Sequence, residues 1–257
     1  MTKKYVRFRV NDKVHYGVIG GSSINVLAGD LFDKHNVTDV VYSLDAVRLL
    51  TPCEPVKIVC VGLNYRKHAV EIGMALPTNP VLFIKPATTL LEPSGEIVYW
   101  PMVGQLDYEG ELTVVMGKKC HMVDEATALE YVFGYTIAND MTARDLQRKD
   151  GQWTRAKSFD TFLPLGPSIV TGIDASDLSL QTYVNGEIRQ DGRTSDLIFP
   201  IAYLVSFISQ IMTLEPGDVI LTGTPSGIGA LQVGDEVEVR IEGLGALRNR
   251  VVATRGS

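Results

Sequence analysis

Val6, Phe8 and Val10 alternate with Arg7 and Arg9 near the start of the chain. That is the two-residue period of a strand with one buried face. Asn11-Asp12 marks a turn into a second apolar run, Val14 to Ile19. Prolines at both ends of Pro52-Cys-Glu-Pro55 disfavour helix before them and predict a linker. Lys57-Ile-Val-Cys-Val-Gly62 then reads as a short buried strand, and Asn64 to Gly73 as a helical segment closed by Pro77 and Pro80. Leu112 to Met116 is another apolar run. Asp124 is placed to cap a short helix over 125–132, with Gly134 at its end and a strand from Tyr135 to Ala138. Leu178, Leu180, Thr182 and Val184 alternate up to Asn185-Gly186, a pair that favours a hairpin turn. Ile201, Leu204, Val205, Ile208, Ile211 and Met212 share one face of an amphipathic helix that starts at Pro200 and ends at Glu215-Pro-Gly217. Val237, Val239 and Ile241 alternate with charges in a late strand. Strands dominate and no strand–helix rhythm repeats, which predicts an α+β, β-rich fold rather than a doubly wound one.

Composition narrows the partners. The 24 basic and 30 acidic residues give a net charge of −6, so a chain-wide basic footprint is absent and no nucleic-acid partner is expected. The most apolar stretch, Phe199 to Leu214, is interrupted by Ser206, Ser209 and Gln210 and is shorter than the roughly 20 residues a membrane span needs. The first residues carry no apolar signal segment. No membrane association is expected, and the localisation read from these features is cytoplasmic. Cys53, Cys60 and Cys120 have no metal-ligand or disulfide spacing.

Five constellations carry possible chemistry. In Asp107-Tyr-Glu109-Gly-Glu111 the two glutamates stand at i and i+2, on one face of a strand. Like charges so placed need a cation or a proton between them, unless they form a solvated acidic edge. Asp140, delivered at the end of an apolar strand, is either a turn former or a third oxygen ligand. Such a set suits Mg²⁺, Mn²⁺ or Ca²⁺ and not zinc. His68 and Glu71 share a helical face at i and i+3, as a base with its orienting carboxylate or as a surface pair. Lys157, in Arg155-Ala-Lys-Ser-Phe-Asp160, is a solvated charge or an electrophile. Thr222-Gly-Thr-Pro-Ser-Gly-Ile-Gly229 is a loop able to bind an anion, without the Gly-Lys-Ser/Thr of a P-loop.

The order and wording of these blocks resemble the fumarylacetoacetate hydrolase family: Val61-Gly-Leu-Asn-Tyr65 followed by His68 and Glu71, Pro80-Val-Leu-Phe-Ile-Lys-Pro86, Tyr108-Glu-Gly-Glu-Leu112, Asn139-Asp-Met-Thr-Ala-Arg-Asp145, Lys157-Ser-Phe-Asp160 and Thr222-Gly-Thr-Pro-Ser-Gly227. The resemblance implies a mixed β-sandwich roll over residues 57–252, preceded by a small N-terminal β module over 1–50. It implies that Glu109, Glu111 and Asp140 hold Mg²⁺ or Mn²⁺, that His68 and Glu71 form a dyad on a lid, and that Lys157 lies near the substrate oxygens. Arg144, Gln147 and Thr224 resemble the residues around the substrate carboxylate, while Lys85 belongs to a recurring block with no role assigned. The implied substrate is a small 2-oxo acid and the implied assembly a homodimer. The first expectation is hydrolytic C–C cleavage of an acylpyruvate-type 2,4-dioxo acid. Oxaloacetate decarboxylation ranks next, then isomerisation of a 2-hydroxy-diene dioate. A non-catalytic oxo-acid binder is the remote alternative.

Overall fold

The computed structural model describes residues 1–254. Among them the strands form sheets of 12, 5 and 3 members. The large sheet runs, from one edge, His35–Ser43, Ser23–Gly29, Lys13–Gly20, Lys3–Val10, Leu163–Thr171, Val132–Asn139, Gly110–Met116, Val219–Leu221, Ile58–Gly62 and Val81–Lys85. Most neighbours are antiparallel, but Ile58–Gly62 runs parallel to Val219–Leu221, so the sheet is mixed. The first 50 residues are continuous with this sheet, because Lys3, Lys4 and Tyr5 pair with Thr171, Val170 and Ile169. Asn11 and Asp12 turn the first hairpin at φ 48 and 59. The proline segment that follows is packed rather than looped out, with Thr51, Pro52 and Cys53 buried.

The five-stranded sheet, ordered Glu187–Arg193, Ser179–Val184, Glu236–Ile241, Gly245–Ala253 and Glu96–Tyr99, packs against the large one. Alternation along each strand builds the interface. Val59, Val61, Leu112 and Val114 face Leu180, Val239, Ile241 and Leu247 and the helix residues Leu204, Val205 and Ile208. The intervening Ile58, Cys60 and Val115 face the opposite side, against Leu165, Ile169, Val219 and Leu221. This is the β-rich sandwich expected from the sequence, with one long helix packed into its main core. Gly110 shows how closely the layers approach: a Cβ there would lie 2.4 Å from Thr182 Oγ1 and 2.9 Å from Val239 Cγ1.

Three local expectations are corrected. Residues Glu125–Tyr131 form a 3₁₀ helix, and Asp124 precedes it without a side-chain capping bond. Its carbonyl instead accepts the Thr127 N–H. Gly134 does not end that helix; it lies inside the strand Val132–Asn139, where a Cβ would meet the Val170 carbonyl oxygen at 2.5 Å. The long helix spans Ile201–Ile211 and buries Ile201, Leu204, Val205 and Ile208, but Ile211 is 56% exposed because the apolar face turns outward in its last turn. No helix among the described residues is long and apolar enough to cross a membrane. The three cysteines are free and buried.

Candidate active site

The two glutamates sit where the short strand Leu106–Tyr108 hands over to Gly110–Met116. Their side chains leave one face while Gly110 gives the other face to the second sheet. Asp140 follows the end of Val132–Asn139, the neighbouring strand. Two cross-links hold these ends in register: the Glu109 N–H donates to Asn139 Oδ1 at 2.9 Å, and the Asp140 N–H donates to the Glu109 carbonyl at 2.8 Å. Glu109, Glu111 and Asp140 are all buried, and an oxygen from each lies within 4.8 Å of the others.

Cations compensate the cluster unevenly. Lys157 Nζ donates to Glu109 Oε2 at 2.9 Å and to Asp140 Oδ2 at 2.6 Å. Lys85, buried at the end of Val81–Lys85, donates to Asp140 Oδ1 at 2.5 Å and to the carbonyls of Met141 and Phe162. Arg144 pairs through Nη2 with Glu109 and through Nε with Asp107, and its Nη1 donates to Gln147 Oε1 at 2.6 Å. Glu111 makes no ion pair among the described residues; its Oε2 accepts the Gly223 N–H at 2.6 Å. The titration behaviour follows. Burial pushes the Glu109 carboxyl up, but Lys157 and then Arg144 outweigh it and hold it well below the usual carboxylate range. Burial, with Asp140 and Glu109 adding to it, pushes the Glu111 carboxyl well above that range. Burial pulls the Lys157 ammonium down, yet Asp140 and Glu109 prevail and raise it to about 12. Lys85 is lowered by burial, which Asp140 only partly offsets.

A divalent cation fits this donor set. All three groups offer hard oxygen, the cluster is buried, and one of its carboxylates has no ion pair among the described residues.

The helix Arg66–Glu71 carries the dyad. His68 Nδ1 lies 2.8 Å from Glu71 Oε2, and Glu71 Oε1 accepts the Gly227 N–H at 2.8 Å. His68 is buried and shares a cavity of about 240 Å³ with Glu109, Glu111, Asp140, Arg144, Gln147, Lys157 and Thr224. All nine residues singled out from the sequence therefore meet, since Glu71 touches the cavity through His68. Arg144 and Thr224 line the cavity and also hold partners within the protein. Arg144 is engaged by Asp107, Glu109 and Gln147. Thr224 Oγ1 donates to the Gly110 carbonyl and accepts from Gln190 Nε2.

Sequence reasoning did not find the other wall of the cavity. Phe83 and Trp153 meet edge to face, with centroids 5.3 Å apart and planes at 75°. Lys157 Nζ stands 5.1 Å from the Phe83 ring centroid. Gly62 makes room for the indole, because a Cβ there would lie 2.2 Å from Trp153 Cζ3. The signals for this wall were Gly62, which closes an apolar strand, and the block Pro80-Val-Leu-Phe-Ile-Lys-Pro86, which contains Phe83.

Comparison with known proteins gives matches over nearly the whole chain. The family described as fumarylacetoacetate (FAA) hydrolase C-terminal matches residues 57–252, and the family described as Rv2993c-like, N-terminal matches residues 3–52. Oxaloacetate tautomerase YisK of Bacillus subtilis is 41% identical, over 91% of this chain and 87% of that protein. The crystal structure of 2-hydroxyhepta-2,4-diene-1,7-dioate isomerase from Mycobacterium marinum superposes with a TM-score of 0.92 at 42% identity, covering 99% of this chain and 100% of that one. Fumarylpyruvate hydrolase from Pseudomonas aeruginosa, solved in complex with Mn²⁺ and pyruvate, gives 0.75 at 33% identity over 84% and 93% of the two chains. With these matches over nearly its whole length, the chain belongs to the fumarylacetoacetate hydrolase family.

Proposed function

We propose that this protein is a divalent-cation-dependent hydrolase that cleaves the C–C bond of a small acylpyruvate, giving pyruvate and a carboxylic acid. The observation that carries this reading is the His68–Glu71–Gly227 relay in the wall of the cavity that holds the three carboxylates. Glu109, Glu111 and Asp140 would hold Mg²⁺ or Mn²⁺, and the Mn²⁺ and pyruvate in the fumarylpyruvate hydrolase structure support that choice. When bound, such a cation supplies a Lewis acid that polarises the 2-oxo group and favours negative charge on it.

The chain's own groups supply the rest. With Nδ1 engaged by Glu71, His68 has Nε2 left to take a proton from water. The water oxygen bonds to the distal carbonyl carbon, the C–C bond breaks, and its electron pair remains on the pyruvate fragment as an enolate. The imidazolium returns its proton to the former methylene carbon of the pyruvate fragment, giving the methyl group of pyruvate. Water and substrate are thereby consumed with no other reactant. Glu71 stabilises the imidazolium and fixes its orientation, and Gly227 fixes Glu71. Lys157 places positive charge where negative charge develops. Leu63, Ile72 and Met74 make the cavity mouth apolar, which favours expulsion of bulk water once substrate covers them.

A second reading is keto–enol interconversion of oxaloacetate, favoured by the 41% identity to the Bacillus subtilis tautomerase. It uses the same base and no water. One experiment separates the two: acetylpyruvate and oxaloacetate are supplied in parallel with Mg²⁺, Mn²⁺ or EDTA. Pyruvate release and enol absorbance are followed, with uncatalysed decay subtracted. Cation-dependent pyruvate from acetylpyruvate is the expected result. Accelerated enol decay of oxaloacetate without pyruvate from either compound would replace hydrolysis with tautomerisation. Pyruvate from oxaloacetate alone would make the protein a decarboxylase.

A further inference from the structure

Every cation walled into the cavity is already engaged. Lys157 serves Glu109 and Asp140, and Arg144 serves Asp107, Glu109 and Gln147. Arg148, which also lines the cavity, is exposed on the rim, where a charge pair contributes little. The rest of the wall is apolar. Trp153 and Phe83 form its fixed side, seated by Gly62. The exposed side follows the dyad helix: Ile72 and Met74 line the same cavity yet are 39% and 50% exposed, on either side of Gly73 at φ 68. Large apolar side chains left wet at the mouth of a polar pocket gain from being covered by an apolar group, and no buried lysine or arginine among the described residues is left there for a second carboxylate.

We propose that the substrate's end distal to its 2-oxo acid is an uncharged apolar tail, and that Ile72, Met74, Phe83 and Trp153 form the subsite that selects it. This rests on the acylpyruvate reading and names its substrate class: 2,4-dioxo acids with an alkyl or aryl tail, in preference to those ending in a carboxylate. The aromatic pair gives the subsite a rigid face, and the residues around Gly73 give it an adaptable one.

The test is a series of 2,4-dioxo acids with Mn²⁺: acetylpyruvate, homologues lengthened one methylene at a time, the phenyl compound, and one of matched length ending in a carboxylate. In the wild-type protein kcat/KM should rise about three- to fourfold per methylene until the subsite fills. The carboxylate-ended compound should fall at least about tenfold below its apolar match. Trp153→Ala should flatten the rise with tail length. Met74→Ser, at an exposed site that leaves the core untouched, should flatten it in part. Equal or better use of the carboxylate-ended compound overturns the proposal. If no dioxo acid is cleaved, the hydrolytic reading fails by itself. Calorimetric binding of 2-oxooctanoate against a 2-oxo diacid of equal length, with Mn²⁺, then decides the subsite. Tighter binding of the apolar acid upholds it; tighter binding of the diacid, or no binding of either, refutes it.

Discussion

Glu71 accepts the backbone N–H of Gly227 at 2.8 Å, a contact between residues 156 positions apart. It ties the dyad helix to the glycine-rich loop, so the imidazole of His68 is aimed by a side chain that is itself anchored in the backbone. Gly227 can take this place because its φ is 98 and a Cβ would lie 2.1 Å from the Arg189 carbonyl oxygen. Replacing Glu71 with Gln keeps the shape but removes the charge that steadies an imidazolium. We expect kcat to fall about 10- to 100-fold, with His68→Ala costing about 10²- to 10⁴-fold. Mn²⁺ affinity, read by electron paramagnetic resonance, should be unchanged in both.

Lys85 makes a different prediction. Its ammonium is fully buried and holds Asp140 from behind, leaving the other carboxylate oxygen to Lys157. Lys85→Met removes that hold and leaves a buried carboxylate short of a partner. Mn²⁺ should bind about 10- to 100-fold more weakly. Urea titration of the metal-free protein should show a loss of about 3–5 kcal/mol.

Gly62→Ala tests the aromatic wall. The added methyl must displace the Trp153 ring, because nothing else yields at 2.2 Å. The expected cost is about 1–3 kcal/mol in thermal or urea unfolding, together with a shift in tryptophan emission.

The thiols predict a pH dependence. Burial pushes Cys53 from the ordinary 9.0 up to about 12, against an opposing pull from Arg7. Burial likewise drives Cys60 well above its ordinary value. In the folded protein both remain neutral where an unfolded chain would ionise. Their contribution to stability is complete below pH 9 and is lost as pH rises through that of Cys53 near 12. A disulfide reagent at pH 8 should therefore leave both unmodified until denaturant is added. Rapid native labelling of either would contradict their placement.

The site's legibility in the sequence depended on distance along the chain. Glu109 and Glu111 could be read because a strand's two-residue period is local, and His68 with Glu71 because a helical turn is local. Asp140 was readable as a strand end, but its meeting with the glutamates depended on strand pairing and came from the family resemblance. Lys85 had no readable role, since its partners Asp140, Met141 and Phe162 lie 55 to 77 positions away. Arg144 lines the cavity, but its anchoring by Asp107, 37 positions upstream, was not legible in the sequence. Gly134 looked like a helix end because a glycine's need for space against a neighbouring strand leaves the same mark in a sequence as its need for an unusual φ. The sandwich was legible at the level of alternating strands, whereas the order of strands in the sheet was not, since it depends on pairings such as Val219–Leu221 with Ile58–Gly62.

The central claim is that His68 directs water onto the distal carbonyl while the three carboxylates hold the cation. Turnover of acetylpyruvate in ¹⁸O-labelled water, with Mn²⁺ present and the products weighed by mass spectrometry, tests it most directly. One ¹⁸O in the acetate carboxyl is predicted, with the product lost in His68→Ala, in Asp140→Asn and in EDTA. Acetate formed at the wild-type rate by His68→Ala, or no acetate from the wild-type protein with Mn²⁺, would contradict it.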